Sequence, residues 1–430
     1  MFWPPQRSQC PPTSASLAEP PLSHLKRDLH KALLRKRITA LTLIAPLAIF
    51  LLVTFVVPIA VLLTRAVANP EIASTLPHTV AALAGWDRKS APPERAYAAL
   101  ADDLAKAAAD NTTGTLARRI NAELPGARSV ILKTARALPL KDAEGKPLPA
   151  AAIQPALIAL DEQWGQLATW QVIAKNGARY SPYYVLAALD LKQDAFGQVH
   201  NADESESAFR KIFGRTFLIS LVVTLCTLVI GYPLAYWLST MSERRANLFM
   251  ILVLIPFWTS ILVRVAAWIV LLQSEGLVNK ALMALGVTQA PLELLFNRIG
   301  VYISMTHILL PFMILPLYSV MKSIPPTYMR AAISLGSHPF AAFWRVYVPQ
   351  TYPGVGAGGL LVFILALGYY ITPALLGGPN EQMVSYYVAY FTNLTINWGM
   401  ACALGALLFA ATLVLYAIYR RFAKIDVSMG

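Results

Sequence analysis

Acidic residues are scarce in this chain and absent where the sequence is most apolar. Over 430 residues there are 23 Asp and Glu against 36 Lys and Arg. No acid falls in any of the long apolar runs, which argues against an intramembrane ion relay built on carboxylates. Cysteine is nearly missing too: Cys10 lies in a Pro-rich start, and Cys226 and Cys402 lie in apolar runs where a buried apolar role suits them. The polar segment 66–213 contains none, so it must fold without a disulfide. There is no G-x-x-x-x-G-K-[ST] phosphate loop and no metal-ligand cluster, and the polar segment offers only His78 and His200 as imidazoles. Charge of either sign makes up only 14% of the chain and hydrophobic residues 56%, with a mean hydropathy of +0.52, which excludes a soluble protein of this size.

What is present is a series of membrane-length runs. Ile38–Leu63 and Thr216–Met241 are 26 uncharged residues each and Ile299–Met321 is 23, against the roughly 20 residues a bilayer core requires. Ala246–Gln273 holds a single charge, Arg264. The uncharged stretch 346–380 places a fifth helix near Gly356–Leu376, and a sixth follows at Gly399–Tyr419. The expected fold is therefore all-α: a polytopic membrane protein with six transmembrane helices and a largely helical external insert. The first run follows basic residues and precedes Ala66-Val67-Ala68, as a cleavable leader would, but it is about twice the length of a leader's apolar region, which favours an uncleaved anchor.

Orientation follows from Lys and Arg near the helix ends. Lys26, Arg27, Lys31, Arg35, Lys36 and Arg37 precede the first run, and Arg244 and Arg245 separate the second from the third. Lys322, Arg330 and Arg345 lie between the fourth and fifth, and Arg420, Arg421 and Lys424 follow the sixth. All fall on one face, which predicts cytoplasmic termini. The net charge of +13 is thus local, because residues 66–213 carry 16 basic and 16 acidic residues, and no nucleic-acid partner is needed to explain it.

The predicted organisation is a partly disordered cytoplasmic segment 1–37, its first 24 residues rich in Pro and Ser; a first transmembrane helix 38–64; a periplasmic insert 65–213; a five-helix core 214–424; and a tail 425–430. In the insert, Pro92-Pro93-Glu94 opens a helix over Arg95–Asp110 with Tyr97, Leu100 and Leu104 on one face, and Leu116–Leu124 continues the pattern. Trp86, Trp164, Trp170, Tyr180, Tyr183 and Tyr184 are the expected core aromatics. Two roles suit the insert equally, a docking surface for an external partner or a stabilising cap.

Between the fourth and fifth runs lies a segment too short and too polar to cross a bilayer. Pro325-Pro326, Gly336, Ser337 and Pro349 punctuate it into two short helices joined by a bend, with Gly336 as a left-handed helix end, Ser337 as a new cap and Pro349 as a stop. The order Ala331-Ala332, Leu335-Gly336, Phe343, Val346, Val348-Pro349 and Pro353-Gly354 resembles the coupling loop of permease subunits in binding-protein-dependent ABC importers. Gly231-Tyr232-Pro233-Leu234-Ala235-Tyr236, Ile255-Pro256-Phe257-Trp258-Thr259-Ser260, Leu310-Pro311-Phe312 and Ile371-Thr372-Pro373-Ala374-Leu375-Leu376-Gly377-Gly378 resemble the spermidine/putrescine branch of that family. The resemblance covers about half of the chain, and the long insert sets it apart from polyamine permeases.

That resemblance implies a non-catalytic membrane subunit without a cofactor of its own. Its implied partners are a cytoplasmic ABC ATPase dimer using ATP and Mg, a second permease subunit (a sister chain or another copy of this one), a periplasmic substrate-binding protein and the lipid bilayer. It implies that loop 325–347, with Arg330, Ala331, Ala332, Leu335, Gly336 and Phe343, inserts into the ATPase, and that Phe343 and Trp344 anchor it. Arg330 stands where the family usually has Glu, so it either meets an acidic group on the ATPase or is a solvated arginine. Arg264, the only charge in a predicted span, either lines the pathway or braces its outer gate, or it snorkels as an anchor. Trp258, Trp268, Tyr369 and Tyr370 offer aromatic faces to a cation or belong to the interfacial belt. The glycines at 354, 356, 358 and 359 suit close helix packing. The solute expected is small and polar or cationic, of the polyamine or opine kind; an ion-coupled carrier and a membrane sensor with an external domain are the alternatives.

Overall fold

The computed structural model describes residues 22–142, 144, 146–204 and 207–427, with side chains between 32 and 421. Cys10 and the Pro- and Ser-rich residues 1–21 lie outside the described residues, and helix begins at Leu22, inside the stretch expected to be disordered. The chain divides into two compact units, 1–61 and 62–430.

The first unit holds the helix Leu22–Leu51, a π-turn Leu52–Val56 and the start of the helix Val57–Val67. Pro58 explains the π-turn: it has no N–H for the carbonyl four residues back, and its ring crowds that carbonyl, so the backbone widens to an i→i+5 bond from Val57 N–H to Leu52 O. Together these elements form an apolar run, Ala32–Val67, long enough to span a membrane.

In the second unit, Phe209–Thr240, Arg298–Ser323 and Tyr352–Leu367 make the central trio of the bundle. Arg298–Ser323 is its axis, burying Val301, Met305, Leu309, Met313, Ile314 and Leu317. Small residues let its neighbours approach. A Cβ on Gly358 would sit 2.9 Å from Met313 Sδ and 3.2 Å from Met313 O, and one on Gly354 would sit 3.3 Å from Leu317 Cα. Gly359 is in ordinary contact only, with its nearest neighbour 3.9 Å away.

Two expected spans are built differently. The third is interrupted, running as Glu243–Leu254, a 3-10 turn Ile255–Trp258 and a new helix Ile261–Leu272. Pro256 removes one helical N–H, Thr259 Oγ1 bonds back to Pro256 O at 2.8 Å, and Thr259 and Ser260 turn to extended backbone. The fifth is displaced toward its N-terminus. It ends at Leu367 and a separate short helix, Ile371–Leu376, follows; on its other side Pro339–Gln350 and Tyr352–Leu367 meet at a 59° bend. The described residues thus contain five helices long and apolar enough to cross a membrane, or six when the bent pair counts as one span.

The insert is a separate helical core. Leu100, Leu104, Leu116, Ile120, Leu157 and Ile173 are fully buried around Trp164 and Trp170. Each indole finds a partner: Trp164 Nε1 donates to Thr134 Oγ1 and Trp170 Nε1 to Trp164 O, both at 2.8 Å. Tyr97 packs on Trp170 with ring centroids 4.4 Å apart. Tyr180, expected in the core, is 63% exposed, and Tyr184 belongs instead to the seam between insert and spans. A two-stranded hairpin, Leu191–Gln193 with Val199–Asn201, was not foreseen; Asp194 Oδ1 accepts the N–H groups of Phe196 and Gln198, and Gly197 turns at φ +92°.

The insert is fastened to the spans at several points. The carboxylate of Asp190, itself buried, accepts the N–H groups of Ala208, Phe209 and Arg210, the first turn of the second span, where the helix dipole favours a negative charge. Arg118 Nη1 donates to Thr395 O at 3.0 Å, and Tyr184 packs so closely on Gly399 that a Cβ there would lie 2.3 Å from its ring.

Candidate functional site

Loop 325–347 starts with the helix Thr327–Ser334, capped at Pro326. It ends at Gly336, which takes φ +90° while its N–H bonds Ile333 O at 2.9 Å and the Ser337 N–H bonds Ala332 O at 3.1 Å. The next helix, Pro339–Ala342, is capped by His338, not Ser337: His338 Nδ1 accepts the Phe340 N–H. Pro349 does not stop the chain but sits in the first turn of Val348–Gln350, and the break comes at Thr351.

The loop is held against the bundle on one side and bare on the other. Phe343, expected with Trp344 to anchor the loop by apolar contact, stacks on Tyr347 at 5.6 Å and meets Tyr236 edge-on at 5.3 Å. Lys322 Nζ donates to Met241 O at 2.9 Å, and Tyr232 Oη bonds Thr351 Oγ1 at 3.1 Å. On the other side Leu335 is 89% exposed, Phe340 68% and Trp344 55%. Arg330 and Ala331 are exposed beside them and Ala332 is half-buried. With Tyr328 and Ile333 these make five exposed large apolar side chains on two short helical segments, the composition of an interface centre. Sequence reasoning missed Phe340 and Tyr328, which lie on the bare side with Leu335.

The candidate pathway residues separate into two groups. Trp258, on the 3-10 turn, is 78% exposed, and Tyr370 is exposed at the start of Ile371–Leu376. Arg264 lies on Ile261–Leu272, whose Val265 and Trp268 share a hydrophobic cluster with Tyr369 and Ile308. Trp268, one turn beyond Arg264, donates from Nε1 to His307 Nδ1 at 3.2 Å. Arg264 Nε and, one turn before His307, Ser304 Oγ are buried without hydrogen-bond partners among the described residues. Such atoms are uncommon in a finished core, and ordered water is their ordinary partner. His307 was missed by the sequence reading; an imidazole within an otherwise uncharged run was the available signal.

Beyond the span ends, Arg298 makes a two-point ion pair with Glu381, Nε–Oε2 at 2.7 Å and Nη2–Oε1 at 3.2 Å, and the Arg215 guanidinium donates to the Asn380 and Gln382 carbonyls. Together they pin the turn after Ile371–Leu376 to the starts of two spans. In the seam, burial and the Glu71 carboxylate push the Tyr184 phenol well above its ordinary pKa, so it stays a neutral donor.

A bundle of membrane-length helices, with a bare apolar loop between two of them, defines a polytopic membrane protein. Residues 216–424 match the sequence signature of the binding-protein-dependent transport system inner membrane component. The spermidine/putrescine transport system permease protein PotB of Haemophilus influenzae is 35% identical over 214 residues, 49% of this chain and 74% of that protein. PotB of Escherichia coli K12 is 32% identical over 208 residues, 48% of this chain and 75% of its own. In solved structures, a bacterial ABC transporter involved in the import of the acidic polysaccharide alginate aligns at 18% identity and a TM-score of 0.42, over 50% of this chain and 79% of that one. The chain belongs to the family of binding-protein-dependent ABC importer permeases, in the PotB branch, and is a multi-pass protein of the bacterial inner membrane.

Proposed function

We propose that the chain forms half of the translocation channel of an ATP-driven importer for a small polar or cationic organic solute, of the polyamine or opine kind. The observation that carries the coupling part is the bare apolar side of loop 325–347, crowned by Leu335 at 89% exposure. It fits a cleft on one protomer of a cytoplasmic ABC ATPase dimer, which binds ATP and Mg; this chain supplies no catalytic group. Closing of the ATPase dimer draws the loops of two permease halves together and opens the pathway to a loaded periplasmic binding protein. The second half is a sister permease or a further copy of this chain. Both termini then face the cytoplasm and the insert the periplasm, in keeping with the basic residues at the span ends.

The solute class is supported by relatives described as spermidine/putrescine permeases and by the aromatic faces of Trp268 and Tyr369, which share one cluster. With no carboxylate in the expected spans, a cation would be held by ring faces and carbonyls, which suits release better than tight capture. Vesicles reconstituted with the permease pair, the ATPase and the binding protein are expected to accumulate labelled putrescine or spermidine only when ATP is present. Accumulation driven by a proton or sodium gradient without ATP would overturn the reading.

A further inference from the structure

We propose that the pocket where the first and last spans meet the insert binds the headgroup of a phospholipid carrying phosphoethanolamine. The pocket measures about 400 Å³ and is lined by Arg65, Glu71, Arg179, Tyr180 and Trp398 among others. Its place in the fold sets its level in the membrane. Arg65 lies in the last turn of Val57–Val67, and Trp398 is the first residue of Trp398–Val427, so both sit where a span emerges on the insert side. Arginine and tryptophan at that depth are the residues that meet lipid headgroups.

The lining carries both signs of charge, left uncompensated. Arg65 is over the Trp398 ring at 5.9 Å, and neither Arg65 nor Arg179 has a carboxylate partner among the described residues. Glu71 reaches Tyr184 Oη at 3.5 Å with one oxygen, while its Oε2 is buried with no hydrogen-bond partner. A buried carboxylate oxygen without a donor is costly, and two exposed guanidiniums on the same pocket are free to take an anion. A single ligand with a phosphate for the arginines and an ammonium for Glu71, joined by a short ethylene linker, answers both. Phosphoethanolamine has that form, and its acyl chains would pass into the bilayer beside the spans. An anion alone leaves Glu71 unpaired, and a polyamine alone faces two arginines. The proposal does not depend on which solute is transported.

The test is native mass spectrometry of the purified full chain in detergent containing equal amounts of phosphatidylethanolamine, phosphatidylglycerol and phosphatidylcholine. The wild-type chain is expected to retain phosphatidylethanolamine in preference to the other two by roughly tenfold, the effect of one charge-assisted hydrogen bond. Glu71→Gln should abolish the preference over phosphatidylglycerol while leaving phosphate binding, and Arg179→Ala, an exposed side chain, should lower retention of both. Retention without preference in the wild type, a preference unchanged by Glu71→Gln, or retention unchanged by Arg179→Ala would overturn the proposal. So would binding of soluble glycerophosphoethanolamine as tight as that of the lipid, or binding of spermidine that falls with Glu71→Gln in place of lipid retention.

Discussion

Gly336→Trp is expected to reduce ATP-dependent uptake to background while the protein still reaches the membrane. The glycine holds φ +90°, and a Cβ there would meet nothing within 4 Å, so no neighbour is displaced. The left-handed backbone costs an ordinary residue about 1–2 kcal/mol, too little to unfold a bundle of this size. What the bulk does spoil is the surface beside Leu335, where the loop is bare. Ala332→Arg tests the same surface without backbone strain, since Ala332 lies within the helix Thr327–Ser334. For both variants ATPase co-purification should fall in step with uptake, at matched membrane levels on an immunoblot. Normal assembly with either would show that the loop is not the main contact. Phe343→Ala should behave differently: its ring packs on Tyr236 and Tyr347, so its loss loosens the loop's footing in the bundle instead of the docking surface.

Arg264→Ala is expected to lower uptake by roughly 10- to 100-fold, the equivalent of one charge-assisted contact of about 1.5–3 kcal/mol. ATPase assembly should be untouched, because Arg264 lies in the helix Ile261–Leu272, not in the loop. Faulty membrane insertion does not account for such a loss: an arginine within a span opposes insertion by about 2.5–3.5 kcal/mol, so alanine makes insertion easier. Arg264→Lys separates the two roles of the side chain. A snorkelling anchor is served as well by lysine, with near-complete rescue, whereas a role that depends on the planar, directional guanidinium is not. Initial uptake rates at matched expression distinguish these outcomes. Wild-type transport by the alanine variant would remove Arg264 from the mechanism.

The spans were legible because an uncharged run of membrane length has few other uses, and the loop because Pro and Gly punctuate it. The interruption after Leu254 was not, since hydrophobicity continues unbroken across Ile255–Ser260; only Pro256 followed by Thr259 and Ser260 hints at it, and Pro311 and Pro316 sit inside an unbroken helix. Composition could not say which aromatic side chains of the loop face inward. Phe340, Phe343 and Trp344 are alike in hydrophobicity, and tertiary packing on Tyr236 and Tyr347 sorts them. The ties between insert and spans were invisible for a similar reason. Asp190 and Glu71 read as two of many surface acids, and their meaning depends on a helix start and a buried seam that chain topology brings to them. Family membership favours an ABC importer permease over an ion-coupled carrier or a sensor, the alternatives that residue patterns kept open.

The most direct measurement of the central claim is site-specific cross-linking from Leu335, the most exposed apolar side chain of the loop. With a photoreactive residue at position 335 in the assembled transporter, the account predicts a cross-link to the ABC ATPase subunit whose yield changes between nucleotide-free and ATP-bound states. A residue at Phe343, packed inside the bundle, should give none. Cross-linking from 335 to lipid alone in both states would contradict the account.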